Sequence, residues 1–211
     1  MCSNCIKLIK ARDDWVCPEC NKLSVGGRVH LGCQRKYSLT GLVSLYEYQG
    51  LARLGIKGLK YEFLKDMKEE LLNLIARGLK EKLKDKQGWE WRRFLSKKPA
   101  VVPMPLYWRR QNWRGFNQAE IIGKLAAEII NLDFKADGLV RQKSTKPQVS
   151  LKKEERSRNI QWAFKAGKGL RRVKRALLID DVWTTGATMR EAGKVLKKAG
   201  AKEVWGMTLA K

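Results

Sequence analysis

The stretch LLIDDVWTTGATM, residues 177–189, decides how the rest of the chain is read. It opens as an apolar run of the kind that fills a strand buried on both faces. Two carboxylates follow, Asp180 and Asp181, and then threonines set around Gly186. A buried strand gains nothing from adjacent carboxylates unless they stand at its carboxyl end, which faces the ligand crevice in open α/β sheets. A small-residue loop entering a helix there offers backbone amides, hydroxyls and the positive helix end to a phosphate. Gly186 lets the backbone come close. Two carboxylates repel a phosphate, but they accept from sugar hydroxyls or bind Mg²⁺. Phosphate, diol and metal together describe a sugar phosphate.

Working outward, strand and helix patterns alternate, which predicts an α/β fold with a parallel or mixed sheet flanked by helices. GLVSLYEYQG (41–50) reads as a strand ended by Gly50, and 51–86 as one or two amphipathic helices with a break near Gly58. Residues 86–99 read as a basic, aromatic connector, and 100–106 as a short buried strand entering a Pro-rich loop. A helix is expected over 117–132. From 139 a strand gives way to a basic loop and a short helix, ending at 164. A strand at 175–181, a helix at 188–201 stopped at Gly200, and a final strand at 203–210 complete the pattern.

The N-terminal sixth is different. Cysteines stand at 2, 5, 17, 20 and 33, with His30, the chain's one histidine, among them. Paired Cys-x2-Cys knuckles at this spacing predict structural zinc. One ligand set is Cys2, Cys5, Cys17 and Cys20, preferred because all four are thiolates in paired knuckles. The alternative draws on His30 and Cys33 beside Cys17 and Cys20. Either set closes the coordination shell, so the zinc is not expected to be catalytic. A zinc module over 1–36 and a larger α/β domain over 37–211 follow.

The chain carries 45 Lys+Arg against 21 Asp+Glu, a net charge of +24, which predicts a polyanionic partner, nucleic acid first. No apolar segment is long enough to span a membrane, and the N-terminus lacks a signal-peptide pattern, so a cytoplasmic location is expected. YWRRQNWRGF and WEWRR interleave aromatics with arginines, the composition of a sequence-tolerant single-strand surface. Trp89, Arg92, Arg93, Trp108, Arg110 and Trp113 are the candidates, although about half of the eight tryptophans are expected in the core.

LLIDDVWTTGATM resembles the phosphoribosyl-pyrophosphate (PRPP) motif of type I phosphoribosyltransferases. VPMPLYWRRQNWRGFNQAE (102–120), RQKSTKPQVSLKKEERSRNIQWAF (141–164) and the cysteine-rich start resemble the ComF-type competence proteins. The resemblance covers nearly the whole chain and implies a phosphoribosyltransferase fold with an N-terminal zinc module. It implies that Asp180 and Asp181 meet the ribose hydroxyls as catalytic residues. It implies that Val182, Thr184, Thr185, Gly186, Ala187 and Thr188 form the PRPP phosphate loop, with Mg²⁺ accompanying PRPP. Arg109, Arg114 and Asn117 fall at the pyrophosphate loop. Lys143, Thr145, Gln148, Arg156 and Asn159 fall in the hood loop. The family's implied role is to handle incoming single-stranded DNA during natural transformation, beside a DNA-uptake helicase and recombination proteins. This chain departs from longer members, which carry more Cys-x2-Cys pairs. Two functions stay open: a DNA-binding protein that retains PRPP binding, and an active transferase moving ribose 5-phosphate to an acceptor base.

Overall fold

The run RALLIDDV forms strand β5 (Arg175–Val182). The computed structural model describes residues 6–58, 68–107, 115–142 and 162–211. Among them, β5 lies in a four-stranded parallel sheet with β1 (Gly41–Tyr46), β2 (Ala100–Pro103) and β6 (Glu203–Ala210). The order is β1-β6-β5-β2. Alternate residues of a strand point to opposite faces. Leu177 and Ile179 therefore enter one core, shared with helices α1 (Gly50–Gly58), α2 (Lys68–Lys84), α3 (Trp89–Ser96) and α4 (Gln118–Ile130). Ala176 and Leu178 enter the other, shared with α5 (Ala187–Lys198) and the hairpin of β3 (Leu139–Arg141) and β4 (Phe164–Ala166). Each fully buried Leu or Ile contributes on the order of 1.5–3 kcal/mol, and the inner strand β5 buries four apolar residues in succession.

The expected mostly parallel α/β sheet is the one formed, with two local differences. The first strand stops at Tyr46, and Gly50 opens α1 instead of ending the strand. Residues 89–96 are a helix and not a connector. Trp91 and Phe94, one turn apart, face inward and meet Trp205 with ring centroids 5.7 and 5.4 Å away. The interleaved arginines hid that apolar face from a reading of composition. Of the six described tryptophans, Trp15, Trp91, Trp183 and Trp205 are buried, while Trp89 and Trp162 are exposed.

The cysteine-bearing segment is tied to this body. The Arg12 amide donates to the Leu45 carbonyl at 3.0 Å, so the segment extends the β1 edge. Trp15 is buried and its indole donates to Asp85 at 2.6 Å. Helix α2 lies close on β1, because Gly78 leaves no side chain where Leu45 and Tyr46 press against it.

Candidate phosphate loop and metal centre

The two carboxylates stand directly before Val182, the last residue of strand β5. Asp180 and Asp181 are half-buried, and each accepts a hydrogen bond from the next residue's amide, at 2.9 and 2.8 Å. Both side chains are thereby fixed at the carboxyl edge of the sheet. Four residues past the strand's last residue, Val182, Gly186 turns the chain into α5 as its N-cap, with φ 76° and ψ −1°. The first-turn amides of a helix have no intrahelical acceptor. In α5 the Ala187 amide leans on the Thr185 hydroxyl at 3.4 Å. Thr184 is exposed, and Thr185, Ala187 and Thr188 are half-buried. The structure thus brings together Asp180, Asp181, Val182 and residues 184–188 at one strand end and one helix start.

The metal-ligating candidates converge elsewhere. Sγ of Cys17, Cys20 and Cys33 and a ring nitrogen of His30 all lie within 4.8 Å of one another. This is the alternative ligand set. Cys2 and Cys5, in the preferred set, lie outside the described residues. The local chain explains the convergence. The Asn21 amide donates to the Cys17 carbonyl and the Cys17 amide to the Lys22 carbonyl, both at 2.9 Å, closing the knuckle. His30 Nε2 donates to the Leu23 carbonyl at 2.9 Å, which leaves Nδ1 facing Cys20 Sγ at 3.4 Å. The Lys22 backbone hydrogen bond brings the Cys20 thiol down to about 7. The hydrogen bond with Cys20, then burial, pushes the Cys33 thiol up to about 11. One thiolate hinders the next, a conflict that a bound dication relieves. Three soft sulfurs and one imidazole suit zinc, with no position left open.

Two struts join these centres. The Trp183 indole donates to Asn21 Oδ1 at 2.9 Å, and its ring lies under Gly186, where a Cβ would come within 2.1 Å of it. Arg190 donates from one guanidinium nitrogen to the Pro18 carbonyl and from the other to the Thr185 carbonyl, each at 2.6 Å. Burial lowers the Arg190 pKa, opposed by Glu19 and Cys17. Neither Trp183 nor Arg190 was among the residues singled out from sequence. Trp183 stood in plain view inside the motif, and a large apolar residue in a phosphate loop was the available signal. Arg190 gave none, since its partners are backbone carbonyls and one of them, that of Pro18, is distant in sequence.

Other expected residues are placed as follows. Asn117 caps α4 by accepting from the Ala119 amide at 3.1 Å, and its amide donates to the Met104 carbonyl at 3.1 Å. It organises both ends of the loop that follows β2. Trp89 is 46% exposed and Arg93 is exposed, although Arg93 lies 3.9 Å from Glu90. Arg92 is bound to the Leu83 and Asp85 carbonyls at the end of α2, so its guanidinium serves the fold. Trp108, Arg109, Arg110, Trp113, Arg114, Lys143, Thr145, Gln148, Arg156 and Asn159 lie outside the described residues.

Residues 119–211, which carry the carboxylate pair and the glycine-capped helix, match the family model described as phosphoribosyl transferase domain. The chain is similar to proteins named for competence and DNA utilization. It is 36% identical over 115 residues to competence protein F of Haemophilus influenzae, a stretch covering 53% of this chain and half of that protein's length. It is 28% identical over 215 residues to the DNA utilization protein YhgH of Salmonella typhi, covering 97% and 88%. It is 27% identical over 207 residues to competence protein ComFC of Streptococcus pneumoniae, covering 97% and 84%. No helix among the described residues is long and apolar enough to cross a membrane.

Proposed function

We propose that this protein handles single-stranded DNA in the cytoplasm during DNA uptake and binds PRPP with Mg²⁺ on the 184–188 loop. The observation that carries the reading is the pairing of a phosphate loop, with two carboxylates at its mouth, and a net charge of +24. The relatives named for competence and DNA utilization support it. Asp180 and Asp181 accept from the ribose hydroxyls, and the amides at the start of α5 donate to the 5′-phosphate. Mg²⁺ offsets the repulsion between the carboxylates and the pyrophosphate. Cys17, Cys20, His30 and Cys33 hold a structural zinc. The chain has no P-loop, so strand movement falls to a helicase partner and pairing to recombination proteins.

A second reading, an active phosphoribosyltransferase, is favoured by the complete carboxylate pair. Titration of labelled oligo(dT) with the protein, at several salt concentrations and with or without Mg-PRPP, tests the first reading. Tight binding that falls with salt supports it, and loss of that binding on adding PRPP places DNA on the phosphate loop. Absence of binding near physiological salt sinks the DNA reading. The double variant Asp180→Asn, Asp181→Asn is expected to lose Mg-PRPP binding, and an unchanged affinity would refute the site.

A further inference from the structure

We infer that Trp162, Tyr37, Lys194 and Lys198 form a contact surface for single-stranded DNA on the outer side of α5. The inference rests on the DNA reading above and adds a surface separate from the phosphate loop and from Trp89. Trp162 is 63% exposed, the most exposed of the described tryptophans. Its backbone sits at φ 60°, a region that bulky residues rarely adopt. The surroundings hold it there. Its carbonyl accepts from Gln142 Nε2 and its amide donates to Glu191 Oε1, both at 3.3 Å. An exposed ring kept on an unfavourable backbone points to a functional contact.

The ring is not alone. Lys194 and Lys198, one helical turn apart, place their ammonium groups 5.9 and 5.4 Å from its centroid. Lys198 also lies 5.6 Å from the half-buried Tyr37 ring, and Lys36 lies 5.5 Å from that ring. Cations and aromatic rings therefore alternate along a strip running Lys36, Tyr37, Lys198, Trp162, Lys194. Glu191 is the acid within it and pairs with Lys194 at 3.7 Å. Aromatic faces take unpaired bases of any sequence, and ammonium groups take the phosphates between them. A duplex hides its base faces in the stack. An acidic protein surface would engage the lysines and leave the rings unused.

Trp162→Gly removes the ring and suits the left-handed backbone, so the fold is kept. By fluorescence anisotropy with labelled oligo(dT), Trp162→Gly is expected to bind about tenfold more weakly, within the roughly 5- to 150-fold span for one stacked base. Trp162→Phe recovers most of that loss. Lys194→Gln with Lys198→Gln lowers the salt slope by roughly 1.4, at about 0.7 for each single-strand phosphate contact. If the wild-type protein binds tightly and Trp162→Gly binds equally well, the strip is overturned and the DNA reading stands. If the wild type does not bind oligo(dT), both fall. If polyglutamate competes as well as unlabelled oligo(dT), the surface recognises charge alone and the inference is overturned.

Discussion

The indole nitrogen of Trp183 donates to the side-chain oxygen of Asn21 at 2.9 Å, across 162 positions of sequence. Asn21 sits in the cysteine knuckle at φ 60°, and the Trp183 ring lies under Gly186. Arg190 repeats the link between Pro18 and Thr185. These bonds tie the knuckle directly to the loop. Chelation of the metal is expected to raise amide exchange at 184–188, measured by mass spectrometry without any ligand present. Trp183→Phe removes one donor and is expected to cost about 1 kcal/mol in urea unfolding.

Gly186→Ala places a methyl group 2.1 Å from the Trp183 ring at a φ of 76°. Overpacking and an unfavourable backbone together are expected to cost about 2–4 kcal/mol. The variant's denaturation midpoint should fall, and calorimetric titration with Mg-PRPP should show no binding.

The four converging donors give a test of the two ligand sets. Cys17→Ser and His30→Ala are each expected to lose zinc and loosen the N-terminal segment. Cys2→Ser is expected to keep its full zinc content by elemental analysis. Loss of the metal in that last variant would return the assignment to the all-cysteine set.

Lys82 is 3% exposed, lies 4.3 Å from the centroid of the Trp15 ring, and has no hydrogen-bond partner for its ammonium among the described residues. Burial lowers its pKa, opposed by Asp85 and Asp14. A lowered lysine pKa means that the unfolded chain binds the proton more tightly. The destabilisation is complete below the folded pKa and fades as pH rises toward the unfolded value of 10.5. Lys82→Met is thus expected to raise the melting temperature at neutral pH. Its advantage over the wild type should shrink in urea titrations carried toward pH 10.

Periodicity made the sheet legible, because Leu177 and Ile179 obey local rules. The helix at Trp89–Ser96 was missed because Arg92 and Arg93 disguised its inward face, and what Trp91 packs on is Trp205, far along the chain. The ligand set was ambiguous for a similar reason. Spacing favours paired cysteines, whereas the turn that carries the Leu23 carbonyl to His30 decides which imidazole nitrogen faces the sulfurs. The Asn21 and Arg190 struts depend on tertiary approach and leave no local trace.

The sheet order also has a consequence during synthesis. Strand β1 pairs with β6 alone among the named strands, and Ser44 meets Thr208 across 164 positions of chain. At about 5–20 residues per second of translation, β1 waits on the order of ten seconds or more for its neighbour. Helix α2 is made soon after β1 and seats itself on it, with the Tyr46 hydroxyl bound to the Leu74 carbonyl at 2.7 Å. On the ribosome, α2 is the provisional cover that keeps a nascent apolar strand from finding the wrong edge.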